Sequence, residues 1–154
     1  MKIAILYASV HHKNTENLIL NATKNLDIDL YNVEKIDQND FSHYDLVAFA
    51  SGIYAFKVHK SIYQFLDKKP ILPHHAILIY TSGTGGDRYI KSFENKLKKS
   101  NIRLLDTFEC KGFDTFFILK LVGGMNKGKP DEKDVKDCKN FLVKYLEMDI
   151  SSLE

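Results

Sequence analysis

The residues with the clearest capacity for chemistry are Ser9, Asn14 and Thr15, in the run Ser9-Val10-His11-His12-Lys13-Asn14-Thr15. All three carry short side-chain donors. They follow the apolar run Ile3-Ala4-Ile5-Leu6-Tyr7-Ala8 and precede a segment with Leu18, Ile19, Ala22 and Leu26 on one helical stripe. A buried strand, a polar loop and a helix start in that order form a βα turn. Such a turn leaves free backbone N–H groups at the positive end of a helix dipole, which suits a phosphate. The alternative is an ordinary exposed connection, since most βα loops bind nothing. His11 and His12 would be held protonated beside a dianion, or would face water.

Two more loops offer chemistry of a different kind. Gly52-Ile53-Tyr54-Ala55-Phe56-Lys57-Val58 follows the run Asp45–Ser51, and Ser82-Gly83-Thr84-Gly85-Gly86 follows Ala76–Thr81. An aromatic ring such as Tyr54 or Phe56 covers a flat π surface while excluding water, or else folds back into the core. Glycine-rich backbone at Gly83 and Gly85 permits close approach of N–H groups to a polar ligand edge. Other machinery is absent: no Ser-His-Asp set, paired carboxylates, Walker lysine motif or HExxH helix is present, and no GxGxxG follows a strand.

The elements that must hold these loops alternate strictly. Strands are expected at Lys2–Ala8, Asp29–Val33 (near an edge), Asp45–Ser51, Ala76–Thr81 and Arg103–Lys111. Helices are expected at Asn14–Asn25 with Asn14 or Thr15 as N-cap, at His59–Lys69 ended by Pro70, at Arg88–Ser100 capped by Asp87, and after Asp131. Phe41–Tyr44 is expected to be a polar connection. Residues 112–129 form a long irregular stretch with Phe113, Phe116 and Phe117 near its start. Apolar strands alternating with amphipathic helices predict a three-layer α/β/α sandwich on a five-stranded parallel sheet of order 2-1-3-4-5. In that order loops 9–15, 52–58 and 82–87 are neighbours at the carboxyl ends of the strands, beside the switch point.

Length and charge bound the rest. The 154 residues fit a single domain, 1–154. A net charge of +2 is too small to argue for nucleic acid, and lysine clusters from Lys96 onward fit solvated helix faces. No apolar run reaches the ~20 residues of a membrane span, and the short N-terminal run is expected to be a strand, not a signal peptide. The two cysteines, Cys110 and Cys138, form no CxxC pair and fit reduced thiols in a cytoplasmic protein.

With these features the chain resembles the flavodoxin family over nearly its full length. Ser9 and Thr15 stand where that family's phosphate loop has its hydroxyl residues. The loop is one residue longer than in short electron-transfer flavodoxins. It is closer to the flavodoxin-like group that includes the FMN-dependent protoporphyrinogen oxidases, whose loop reads Ser-x-x-x-Gly-x-Thr. Lys13 stands at the glycine of that pattern. Ala50-Ser51-Gly52-Ile53-Tyr54 followed by His59-Lys60-Ser61 is also similar to that group. The resemblance implies an FMN cofactor contacted by Ser9, Val10, His11, His12, Lys13, Asn14 and Thr15. It extends the contact set to Gly52, Ile53, Tyr54, Phe56, Thr81, Ser82, Gly83, Thr84 and Gly85. The chain has no tryptophan, the residue that commonly stacks on the flavin in this family, so Tyr54 or Phe56 would replace it. Three functions remain open. One is electron transfer as a carrier or as the flavin subunit of a reductase, working with a redox partner protein. Another is direct oxidoreduction of a bulky conjugated, tetrapyrrole-like substrate. The last is a cofactor-free interaction protein of the same fold. His11, His12, Lys13, Lys57, His59 and Lys60 give the expected site a positive character, which suits a partner with an acidic docking face.

Overall fold

The computed structural model describes residues 1–8, 13–83, 89–112 and 128–153. Its strands are β1 (Ile3–Ala8), β2 (Ile28–Asn32), β3 (Leu46–Tyr54), β4 (Lys57–Val58), β5 (His75–Ser82) and β6 (Arg103–Lys111). Its helices are α1 (Asn14–Ala22), α2 (Lys60–Asp67), α3 (Lys91–Lys99) and α4 (Glu132–Leu146), with a short 3₁₀ turn at Ile150–Leu153. Five strands run parallel in the order β2-β1-β3-β5-β6, and the two-residue β4 pairs antiparallel with the end of β3. With β4 set aside this is the expected 2-1-3-4-5 order.

The strands read as continuous apolar runs because both of their faces are covered. Ala4, Leu6, Val47, Phe49, Ala76, Leu78 and Tyr80 point to one face, where Ile62, Phe65 and Leu66 of α2 and Phe93 and Leu97 of α3 cover them. The alternate residues Ile3, Ile5, Leu46, Ala48, Ala50, Ile77 and Ile79 meet Leu18, Ile19 and Ala22 of α1 and Cys138, Leu142 and Tyr145 of α4. The period of two along each strand thus sorts side chains between two helical layers. Cys110 and Cys138 both lie in the second layer, and burial pushes each thiol up to about 12, so neither is a reactive thiolate at neutral pH.

Three expectations about local structure are corrected. Phe41 and Tyr44 do not form a polar connection: both are buried, with Phe41 edge-on to Phe65 at a ring-centroid distance of 6.0 Å. Tyr44 Oη donates to Asp29 at 2.6 Å and bonds Tyr31 Oη at 2.7 Å, so the polar tip is satisfied while the ring fills the core. Residues 52–58 are not one loop. β3 continues through Gly52, Ile53 and Tyr54, reverses at Ala55-Phe56, and returns as β4. Nor do Asn14 and Thr15 cap α1; they are its first helical residues. The N-cap position is Lys13, which makes no side-chain capping bond. The expected capping by Asp131 is present as a reciprocal pair with Asp134. The expected cap Asp87 and the aromatics Phe113, Phe116 and Phe117 lie outside the described residues.

Candidate functional site

The carboxyl end of the sheet gathers α1's first turn, the ends of β3 and β5, and the residue that leaves β6. The centre of this cluster is a pair of hydroxyls. Thr15 Oγ1 lies 3.0 Å from Thr81 Oγ1, and the two residues are only 1% and 4% exposed. Thr81 is deep because β5 lies between β3 and β6 and is buried on both faces through to its end. Thr15 is on the face of α1 that also buries Leu18, Ile19 and Ala22.

Asn14 stands beside them at the start of α1. A Cβ built on Gly112 would come within 2.9 Å of Asn14 Nδ2 and 3.3 Å of Thr81 Cβ, so only glycine fits there without displacing a neighbour. Gly112 N–H donates to the Ser82 carbonyl at 3.0 Å, which extends the β5–β6 ladder to this point. Ser82 Oγ donates to Glu109 Oε1 at 2.7 Å. Asn14, Thr15, Thr81, Ser82 and Gly112 are therefore brought together from three segments. Gly112 and Glu109 did not figure among the expected site residues. In the sequence Gly112 only opens the irregular stretch 112–129 after the imperfectly alternating Arg103–Lys111, and Glu109 carries no sequence signal at all.

Lys13 occupies left-handed backbone, with φ +52° and ψ +29°. This is backbone that favours glycine, the residue at this place in the Ser-x-x-x-Gly-x-Thr pattern, and it costs an L side chain about 1–2 kcal/mol. Its Nζ lies 3.6 Å from Glu16 Oε2 on a largely exposed side chain, a pair of little stabilising value. Lys13→Gly is therefore expected to raise stability by about 0.5–1 kcal/mol, because relief of strain exceeds the added entropy of the unfolded chain. Urea denaturation should show a higher midpoint at unchanged slope.

The hairpin after β3 separates the two aromatics. Tyr54 lies back over its own strand: a Cβ on Gly52 would be 2.8 Å from Tyr54 Oη, and the ring meets His59 edge-to-face at 5.0 Å. Ser51 Oγ accepts from His59 N–H at 2.9 Å, and His59 caps α2 by accepting from Ser61 N–H. Ile53 pairs with Val58 across the hairpin. Phe56, by contrast, is 70% exposed at the hairpin tip, with its ring stacked 5.9 Å from that of Tyr89. Ala55 and Phe56 have φ of +46° and +65°, the twist of a two-residue type I′ turn, without the Asn-Gly that usually supplies it. Gly83 ends the described part of the β5 loop. Ser9, Val10, His11, His12, Thr84 and Gly85 lie outside the described residues.

Among the described residues no group of three or more His, Cys, Asp or Glu side chains is placed to hold a metal. No helix among them is long and apolar enough to cross a membrane.

Comparison with known proteins agrees with this geometry. Residues 4–112 match the sequence profile of the flavodoxin domain. An uncharacterised protein of Methanocaldococcus jannaschii is 41% identical over 148 residues, covering 95% of this chain and 99% of that one. Among solved structures, an archaeal flavodoxin superposes with a TM-score of 0.67 at 15% identity, over 96% of this chain and 97% of that one. The two-electron reduced flavodoxin of Megasphaera elsdenii gives 0.56 at 14% identity, over 89% and 97%. A Lactobacillus acidophilus flavoprotein in complex with FMN gives 0.54 at 14% identity, over 70% and 92%. At such identities the structural likenesses establish the fold, while the profile match spans more than half the sequence: this chain belongs to the flavodoxin family.

Proposed function

We propose that this protein binds FMN by its phosphate at the start of α1 and serves in electron transfer, as a carrier or as the flavin subunit of a reductase. The observation that carries the reading is the convergence of Asn14, Thr15, Thr81 and Gly112 on one helix N-terminus. It supplies short donors, a positive dipole end and a glycine whose added Cβ would displace the Asn14 amide, which together suit a dianion. The residues fit the cofactor. Asn14 and Thr15 would hold the phosphate, and Ser82 and Gly83 would face the polar edge of the ring. Phe56 is the exposed aromatic that can lie on its face, since Tyr54 already packs on Gly52 and His59. FMN when bound supplies reversible one- and two-electron chemistry. The chain's part is to bind it, order it and shield one face from water. A redox partner protein would deliver or accept the electrons, and the exposed lysines near the site suit an acidic docking face on that partner.

The test is an absorption spectrum of purified protein after addition of FMN, with mass identification of the flavin released on denaturation. A bound flavin spectrum supports the reading; protein that stays colourless in excess FMN removes it. Phe56→Ala is expected to weaken FMN by about 0.5–1.5 kcal/mol beyond the loss of buried area, measured by flavin fluorescence titration. Tyr54→Ala should leave that affinity closer to wild type. Turnover of a conjugated substrate by the protein alone, with an artificial donor, would instead mark it as an enzyme.

A further inference from the structure

We propose that Thr81 is a positioning residue for the cofactor phosphate: its hydroxyl donates to Thr15 Oγ1, so that the Thr15 O–H is left to point at the anion. The inference rests on the phosphate-binding reading above. Thr15 and Thr81 are 66 residues apart in sequence, both nearly inaccessible to water, and joined Oγ1 to Oγ1 at 3.0 Å. Each hydroxyl is the other's only side-chain hydrogen-bond partner among the described residues.

Two hydroxyls in contact share one of their two protons; the other is free to donate outward. Either direction of the shared bond is possible in isolation. An anion beside Thr15 removes the degeneracy, because a phosphate oxygen only accepts. Thr15 must then donate outward and accept from Thr81, and the chain Thr81 O–H to Thr15 O–H to phosphate is polarised in one sense. Thr81 sits at the carboxyl end of β5, clamped between β3 and β6 through pairing with Gly52 and Cys110. A rigid strand thereby fixes the direction of a hydroxyl on a helix terminus. Gly112, whose added Cβ would lie 3.3 Å from Thr81 Cβ, leaves the pair room.

The test compares FMN and riboflavin affinities of Thr81→Val, Thr81→Ser and wild type. Valine keeps the shape and removes the donor; serine keeps the donor. The expected result is that Thr81→Val lowers the FMN-to-riboflavin affinity ratio about two- to tenfold, while Thr81→Ser restores it. Both affinities are measured on one sample, so a loss of folded protein cancels in the ratio. In a Thr15→Val background, Thr81→Val should change the ratio no further, because the relay has lost its end. Thr81→Val with a wild-type ratio overturns the relay while the phosphate reading stands. An equal loss for both flavins also overturns it and makes Thr81 merely structural. Wild-type protein that binds riboflavin as tightly as FMN overturns the phosphate reading and the relay with it.

Discussion

Thr15→Val is expected to lower FMN affinity about 10- to 100-fold and to leave riboflavin affinity within about twofold of wild type. A hydrogen bond to a charged group is worth about 1.5–3 kcal/mol, and Thr15 stands where α1's free N–H groups and dipole already favour an anion. The donor is also short of competition from water, since Thr15 is almost wholly buried. Riboflavin lacks the phosphate and has nothing there to lose. The substitution carries a second consequence that separates cleanly from the first. It leaves the Thr81 hydroxyl buried without its partner, at about 1–3 kcal/mol of folding stability. For a chain of this size that lowers the melting temperature of the flavin-free protein by several degrees, on the order of 2–4 °C per kcal/mol. Loss of affinity for both flavins in equal measure would mean that Thr15 acts through stability alone.

The second large effect concerns the reduction potential. Among the described residues at the carboxyl ends of β1, β3, β5 and β6, Lys13, Lys57, Lys60 and Lys111 are all exposed, against Glu16 and Glu109. Lys13 is partly offset by Glu16 at 3.6 Å. The remaining excess is positive, and so is the whole chain at +2. A positive field stabilises the anionic, fully reduced flavin over the neutral state before it. A net gain of ~1.4 kcal/mol corresponds to about 60 mV for a one-electron couple. The second one-electron potential is therefore expected to lie roughly 60 mV or more above that of a flavin in an acidic site. The two one-electron steps should also lie closer together. Lys57→Glu with Lys60→Glu should move it back down, and added salt should shrink the difference. Photoreduction followed by potentiometric titration reads both. A second potential as low as in an acidic site, unmoved by the charge reversals, would show that these lysines do not govern the field at the ring.

The sheet was legible in the sequence because its strands are covered on both sides. A continuous run such as Leu46–Ala50 has few other solutions, and β6 occupies the expected Arg103–Lys111 in full. The βα connection after β1 was legible from a polar run between an apolar strand and an amphipathic helix. What escaped has physical reasons. Propensity gives no hint that Lys13 adopts left-handed backbone, since tertiary context imposes it against a cost. Gly52 looked like punctuation, yet it continues β3 so that the Tyr54 ring can lie across it. The Ala55-Phe56 turn lacks the Asn-Gly signal of its type. Phe41 and Tyr44 looked polar because their neighbours are, while burial is decided by where the chain crosses Phe65. Thr15 and Thr81 both stood in the expected contact set, but the hydrogen bond between them was not legible, because it forms only through folding.

One titration tests most directly whether this chain holds a flavin by its phosphate. Flavin-free protein is titrated with FMN and, separately, with riboflavin, following quenching of flavin fluorescence. Several charge-assisted hydrogen bonds to the phosphate, each worth about 1.5–3 kcal/mol, predict that FMN binds at least about a hundredfold more tightly. Equal affinities, or no quenching by either flavin, would contradict the account.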